Sequence, residues 1–403
     1  MLFALPNALR LVLAAFLWTN SHPNATPPAV RFTLRHAHAV ANGSRNVFAD
    51  VPPSLLSESY EIPTTRVTAP RPPSAAAHAD ARLLSMRHAQ SPSLAWTSVD
   101  VAGPDVTKRQ TLLELAKMTF NSYYAPGHTA WYPLDSWNTS LPFGWEPDDD
   151  GFRGHVFVSE DNSMVVISVK GTSVPWIAGG DGPTKKKDKL NDNLLFSCCC
   201  ARVGPTWSPV CDCFAGGDRC DQNCLERALV DDSLFYTVGT NLYNDVAYMY
   251  PNANIWLTGH SLGGSLAALL GATFGVPVVA LETPGEKLAA TRLHLPSPPT
   301  THHITHVYHT GDPIPMGTCT GVTSTCALGG YALETRCHLG QRILYDTVSH
   351  RGWGVDARQH GIQFIIDKLL NEDWDAEAGV EVPAVDVQTD CVDCFSWEYG
   401  DFK

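Results

Sequence analysis

The chain has 403 residues, of which 44% are hydrophobic and only 17% charged, and its formal net charge is −13. That length and apolar content suffice for one large core carrying a long insertion. The acidic balance argues against nucleic acid as a partner, because phosphate backbones are held by clustered Lys and Arg. The one basic run, Lys185-Lys186-Lys187-Asp188-Lys189, is short. It reads as a solvated loop, with contact to an anionic membrane surface as the alternative.

Along the chain, residues 1–20 place the apolar stretch LVLAAFLW after a single Arg10. A secretory signal peptide has an apolar region of this length. A spanning helix needs about 20 apolar residues, and reaching that count means running back through Arg10 and Pro6. Residues 1–20 are therefore a signal peptide or a signal anchor. Sequons at Asn24, Asn42 and Asn138 agree with lumenal exposure. Residues 21–103 are rich in Pro, Ala, Ser and His with little apolar periodicity, which reads as a linker or stalk.

The ordered domain is expected over residues 104–371. It opens with a helix that puts Leu112, Leu115, Ala116 and Phe120 on one face, a core stripe. Two strands follow around the turn Glu160-Asp161-Asn162, the second being Met164 to Val169. From about 173 to 229 the pattern dissolves into Gly, Pro, Lys and Cys. A loop of that length is usually a lid or a disordered segment; its seven cysteines oppose disorder, and it reads as an irregular insertion held by its own disulfides. A helix from about Ser233 to Tyr250 then leads to the strand NIWLTGH and a helix of small and apolar residues. The buried strand VPVVAL, a strand ending in the acidic turn of HITHVYHTGDPIP, and a helix opening at His360 complete the alternation. Strands alternating with helices indicate a mostly parallel central sheet flanked by helices. Residues 372–403 read as a C-terminal tail.

Twelve cysteines is a high count for a cytosolic enzyme of this size. Zinc knuckles need regular pairs, and the adjacent Cys198-Cys199-Cys200 run does not supply them. Disulfides in an oxidising compartment fit better.

Gly259-His260-Ser261-Leu262-Gly263 matches G-x-S-x-G between an expected strand and an expected helix, the context a nucleophile elbow requires. The bland alternative is a Gly-rich turn in which Ser261 caps the helix. A serine hydroxyl needs a base, and the base an orienting acid, in the chain order Ser, acid, His for α/β-hydrolases. Asp312, after the strand around Val307 and Tyr308, is the acid candidate, against a plain Asp-Pro turn. His360 is preferred as base over His350. His302, His303, His306 and His309 precede Asp312, His338 sits beside Cys337, and His260 reads as a structural neighbour of the elbow. For the oxyanion, the N–H of Leu262 and that of Thr172, after the strand ending at Val169, are the candidates.

These residues give the chain its resemblance to class 3 lipases and, more narrowly, to the fungal autophagy-related lipases. The resemblance is carried by TGHSLGGSLAALLG, LETPGEKLAATRLHLPSPP, HTGDPIPMGTCTG and the cysteine block FSCCCARVGPTW…VCDC. It spans roughly residues 105 to 370. It implies an α/β-hydrolase fold with Ser261, Asp312 and His360 as nucleophile, acid and base. It also implies a single-pass signal anchor, a lumenal domain reaching the vacuole through multivesicular endosomes, and action on membrane phospholipids and acylglycerols. The expected partners are lipid membranes and acyl lipids, anionic phosphoinositides among them, with no nucleic acid and no obligate protein partner. Neither a metal nor any other cofactor is called for. Two other readings stay open: an esterase acting on soluble or polymeric esters, and a non-catalytic, disulfide-rich lumenal protein.

Overall fold

The computed structural model describes residues 28–41, 45–50, 60–88, 92–124, 151–173, 185–200, 210–232 and 234–402. The leader at residues 1–20 and all three sequons lie outside them. No helix among the described residues is long and apolar enough to cross a membrane.

Strands β1 (Ala29–Ala41), β2 (Arg45–Asp50), β3 (Tyr60–Arg71), β4 (Thr97–Pro104), β5 (Gly154–Ser159) and β6 (Met164–Val169) precede the cysteine-rich segment. That segment contributes the short β7 (Phe214–Gly216) and β8 (Arg219–Asp221). Then follow β9 (Asn254–His260), β10 (Val278–Leu281), β11 (Ile304–His309), β12 (Gln341–Tyr345), β13 (Val385–Asp386) and β14 (Glu398–Gly400). The main sheet runs β13-β12-β11-β10-β9-β6-β5-β1-β3-β4, with β2 paired to β1. Its centre, β12 to β6, is parallel. Antiparallel strands extend it on both sides, so the whole sheet is mixed.

Alternation along the central strands divides the interior in two. Val165, Ile167 and Val169 of β6, with Ile255 and Leu257 of β9, face one core. Met164, Val166 and Trp256 face the other. Successive side chains of a strand point to opposite faces, and a sheet covered by helices on both sides buries both. The first core is covered by Leu262–Phe274 and Leu234–Met249, through Leu266, Leu269, Leu270, Val238 and Leu242. The second is covered by Arg109–Asn121, where Leu112, Leu115, Ala116 and Phe120 are all buried as the stripe requires. Ile362, Ile365, Ile366 and Leu369 near the C-terminus close it. This is an α/β-hydrolase architecture.

Three expectations about organisation are corrected. Described residues between 28 and 103 are not a linker: β1, β2, β3 and β4 extend the sheet, and the helix Ala75–His88 lies between β3 and β4 in the chain. In β1, Phe32 and Leu34 point inward while Arg31 and Thr33 do not. One apolar residue in two, interspersed with Arg, His and Pro, is too sparse a pattern to stand out before the sheet supplies a covered face. The C-terminal stretch is not a free tail either. Cys391 bonds to Cys337 and Cys394 to Cys198, and β14 pairs with β8. The cysteine-rich insertion is only partly held by its own bridges, Cys199–Cys220, Cys200–Cys211 and Cys213–Cys224. With Cys319–Cys326, all twelve cysteines are paired.

The Cys198–Cys394 bridge joins residues 196 apart in sequence and anchors the C-terminus against the insertion. A Cys198→Ser/Cys394→Ser double variant is expected to lose about 2–5 kcal/mol of stability. Thermal melting under non-reducing conditions checks this, and an unchanged Tm would show that the C-terminal packing holds without the bridge.

Candidate active site

Every element of the site hangs from the carboxyl end of a parallel strand, where open α/β sheets place their ligands. β9 ends at His260, and Ser261 follows with φ 55° and ψ −130°, outside the ordinary L-residue regions. The strained turn persists because its surroundings leave one solution. A Cβ on Gly259 would lie 2.5 Å from the Gly263 carbonyl carbon, and one on Gly263 would lie 2.3 Å from the Val169 oxygen. The strand and the helix Leu262–Phe274 thus touch backbone to backbone, and Ser261 N–H donates to Leu281 O at 3.0 Å.

Ser261 Oγ lies 2.9 Å from His360 Nε2, and His360 Nδ1 lies 2.5 Å from Asp312 Oδ2. All three residues are buried. The remaining Asp312 oxygen accepts from Ile314 N–H at 2.9 Å. Burial alone would raise the Asp312 carboxyl, but His360 and its hydrogen bond override this and hold it below the usual range. A hydroxyl, an imidazole and a carboxylate joined in this order can pass a proton from Oγ to Nε2 while the acid fixes the ring tautomer.

The other histidines separate cleanly. His350 is exposed, stacks on Trp374 and stands apart from Ser261. His260 braces the site from behind. Its Nε2–H donates to His360 O at 2.7 Å, since a carbonyl can only accept, and its Nδ1 accepts from the Tyr123 hydroxyl at 2.6 Å. Burial, with His360 adjacent, pushes His260 down to about 3, so it stays a neutral strut.

Leu262 opens the helix after the nucleophile, where first-turn N–H groups lack intrahelical partners. The Thr172 loop reaches the same place. A Cβ on Gly171 would lie 2.2 Å from the Tyr123 hydroxyl and 3.2 Å from Ser261 Cβ, so only glycine lets this loop approach.

What holds that loop was not legible as such. The run Lys185-Lys186-Lys187-Asp188-Lys189 is not a loop but the first turn of the helix Lys185–Phe196. Asp188 and Asp192, one turn apart, turn inward from it. Asp188 Oδ2 takes Lys170 Nζ at 3.1 Å and Ser173 N–H at 3.0 Å, and Asp192 Oδ2 takes the Thr172 hydroxyl at 2.6 Å. The helix Lys185–Phe196 of the insertion is therefore a brace for the Thr172 loop. Residues 174–184 and 201–209 of the expected lid lie outside the described residues. The i, i+4 aspartates ahead of Leu194, Leu195 and Phe196 were the available signal, masked by three lysines at a helix start, where cations are unfavourable.

Glu282, directly after β10, is a second residue the sequence did not single out. It is fully buried at φ 46°, and its Oε2 accepts from His309 N–H at 3.4 Å. Burial and the Asp312 charge hold it well above the carboxylate range. Two adjacent carboxylates resist ionising together in a dry core, which favours the neutral form of Glu282 beside Asp312.

Glu282 and Asp192 also set a pH dependence. Burial holds Asp192 up to about 8 against the Thr172 hydrogen bond, whereas an unfolded Asp or Glu ionises near pH 4. Between those limits the unfolded chain releases protons that the folded chain keeps, so their contribution to stability falls as pH rises. Asp192→Asn and Glu282→Gln, neutral near-isosteres, should flatten the decline of Tm between about pH 4 and 8. Melting curves at several pH values read the slope. A slope unchanged in both variants would mean that these carboxyls are ionised in the fold.

Comparison with known proteins follows the same lines. Residues 225–320 match the family model described as Lipase (class 3). Over 291 residues the chain is 58% identical to "Putative lipase ATG15" of Cryptococcus neoformans var. neoformans serotype D (strain B-3501A), covering 71% of this chain and 56% of the relative. It therefore spans a little over half the length of that protein. A relative of the same name from Candida glabrata is 44% identical over 354 residues, or 86% of this chain and 68% of its own length. Among solved structures, the Lip2 lipase of Yarrowia lipolytica is 17% identical, with a TM-score of 0.31 over 58% of this chain and 78% of that one. With a relative this similar matched over two thirds of its length, the chain belongs to the ATG15 family of class 3 lipases.

Proposed function

We propose that this protein hydrolyses carboxylic esters of membrane phospholipids and acylglycerols, with Ser261 as nucleophile, His360 as base and Asp312 as orienting acid. The observation that carries this reading is the Ser261–His360–Asp312 relay at the carboxyl ends of β9, β11 and β12. Its position in a lipase family adds the substrate class.

The chemistry is two-step acyl transfer. His360 Nε2 takes the hydroxyl proton as Ser261 Oγ bonds to the ester carbonyl carbon. The carbonyl oxygen becomes an oxyanion facing the Leu262 and Thr172 N–H groups. Collapse of this intermediate breaks the ester bond, and His360 returns the proton to the departing alcohol. Water, deprotonated by His360, then attacks the acyl-enzyme and releases the fatty acid and free Ser261. Asp312 stabilises the imidazolium in both halves, and neutral Glu282 steadies Asp312.

The name shared by the relatives supports a place in autophagy. On this reading the substrate is the membrane of vesicles delivered to the vacuole. The enzyme travels there through multivesicular endosomes as a single-pass lumenal protein anchored by residues 1–20. Six disulfides agree with an oxidising lumen. Anionic lipids, phosphoinositides included, would meet the exposed Lys185 and Lys186 at the start of the brace helix.

Fatty-acid release from phospholipid vesicles by the wild-type chain, beside Ser261→Ala, tests the reading. Release should fall by at least about 10³-fold in the variant, with an unchanged melting temperature. Hydrolysis of short soluble esters without any release from vesicles would instead favour the soluble-ester reading. Failure of a fluorophosphonate to label Ser261 would remove the nucleophile assignment.

A further inference from the structure

Outside the triad, one buried cluster has no role in the reaction just described. Glu286, His306 and His338 converge beside the loop that runs from Glu282 to the short helix Lys287–Arg292. All three are buried, and one potential ligand atom from each lies within 4.8 Å of the others. Their thiol neighbours, Cys337 and Cys391, are tied in a disulfide, so the cluster is a nitrogen and oxygen set.

Thr283 fixes both rings from outside the cluster. His338 Nε2 lies 2.9 Å from Thr283 O, and a carbonyl only accepts, so the proton sits on Nε2 and Nδ1 keeps a lone pair. His306 Nδ1 lies 2.8 Å from Thr283 Oγ1, which leaves its Nε2 directed at the cluster. Leu339 N–H donates to Glu286 Oε1 at 2.8 Å and fixes the carboxylate. Within the cluster, His306 Nε2 is 3.0 Å from Glu286 Oε1, an ion-pairing distance. Glu286 Oε2 has no hydrogen-bond partner. A buried carboxylate oxygen left bare beside two imidazoles is costly unless something joins it to them. A proton between Glu286 and His306 would satisfy one pair and leave Glu286 Oε2 bare. A single cation accepts all three lone pairs at once.

We infer that Glu286, His306 and His338 bind one divalent transition-metal ion, zinc by its ligand type, as a structural staple for the loop Glu282–Glu286. Two imidazoles and a carboxylate are a recurrent zinc ligand set. Rings held through their second nitrogen by an outer acceptor are the usual surroundings of such ligands. The staple would fix the loop at Glu286, four residues after Glu282, which lies beside Asp312. Between them Pro284 O receives the Ser265 hydroxyl at 2.9 Å, tying the loop to the helix that follows the nucleophile.

The test is independent of ester hydrolysis. The full chain, produced with its disulfides formed and dialysed against metal-free buffer, is assayed for metal by elemental mass spectrometry beside Glu286→Gln and His338→Gln. One zinc per chain is expected in the wild type and only background in both variants, each checked for complete thiol oxidation. Chelation should lower the wild-type Tm by several degrees, and added Zn²⁺ should restore it. A folded, oxidised wild type that holds no metal, and whose Tm ignores both chelator and Zn²⁺, overturns the inference. So does zinc retained in both variants. If neither variant folds, anomalous diffraction at the zinc edge of the wild type decides: a peak between the three side chains supports the site, and its absence overturns it.

Discussion

The backbone contact between β9 and the helix Leu262–Phe274 is the constraint on which the site depends. Gly259 and Gly263 pack so closely to their neighbours that no side chain fits. This closeness forces the chain through a positive φ at Ser261 and aims its hydroxyl above the sheet. The helix, the Ser261 hydroxyl and the Leu262 N–H are therefore one rigid object. Ser261 N–H bonded to Leu281 O ties it to β10, and β10 in turn carries Glu282 to Asp312.

Around this object lies an unusual amount of buried polarity. Neutral groups do most of the bracing: His260 between Tyr123 and the His360 carbonyl, Glu282 behind Asp312, Asp192 under Thr172. The Lys170–Asp188 pair is the charged exception, and it is satisfied further by Gly171 O and Ser173 N–H. Burying a polar group is tolerable when each donor meets an acceptor. The reward is a first layer that cannot relax away from its working geometry. The carboxyls kept neutral also favour the fold at acidic pH over neutral pH, which suits the lumenal setting proposed for the enzyme.

The outer parts of the chain serve this centre. The N-terminal strands extend the sheet beyond β5. The cysteine-rich segment places its helix behind the Thr172 loop, and the C-terminal stretch is bonded to that segment through Cys394. Segments far apart in sequence are thus tied to the loop that faces the oxyanion.

The sequence by itself determined the strand–turn–helix around Ser261 and the flanking β6, β10 and β11, with Asp312 and a later histidine as its candidate partners. Those features are local: glycines in fixed register, apolar runs of strand length, an acid and a base after the nucleophile in chain order. Only the tertiary structure decided between His360 and His350, because reach to Ser261 depends on how the chain returns after β12. It alone showed that sparse strands such as β1 and β3 complete the sheet, since one inward residue in two acquires meaning only against a covering layer. It alone paired the twelve cysteines and turned Asp188, Asp192 and Glu282 inward. A carboxylate reads as solvated surface until its partners, distant in sequence, are brought within a hydrogen bond of it.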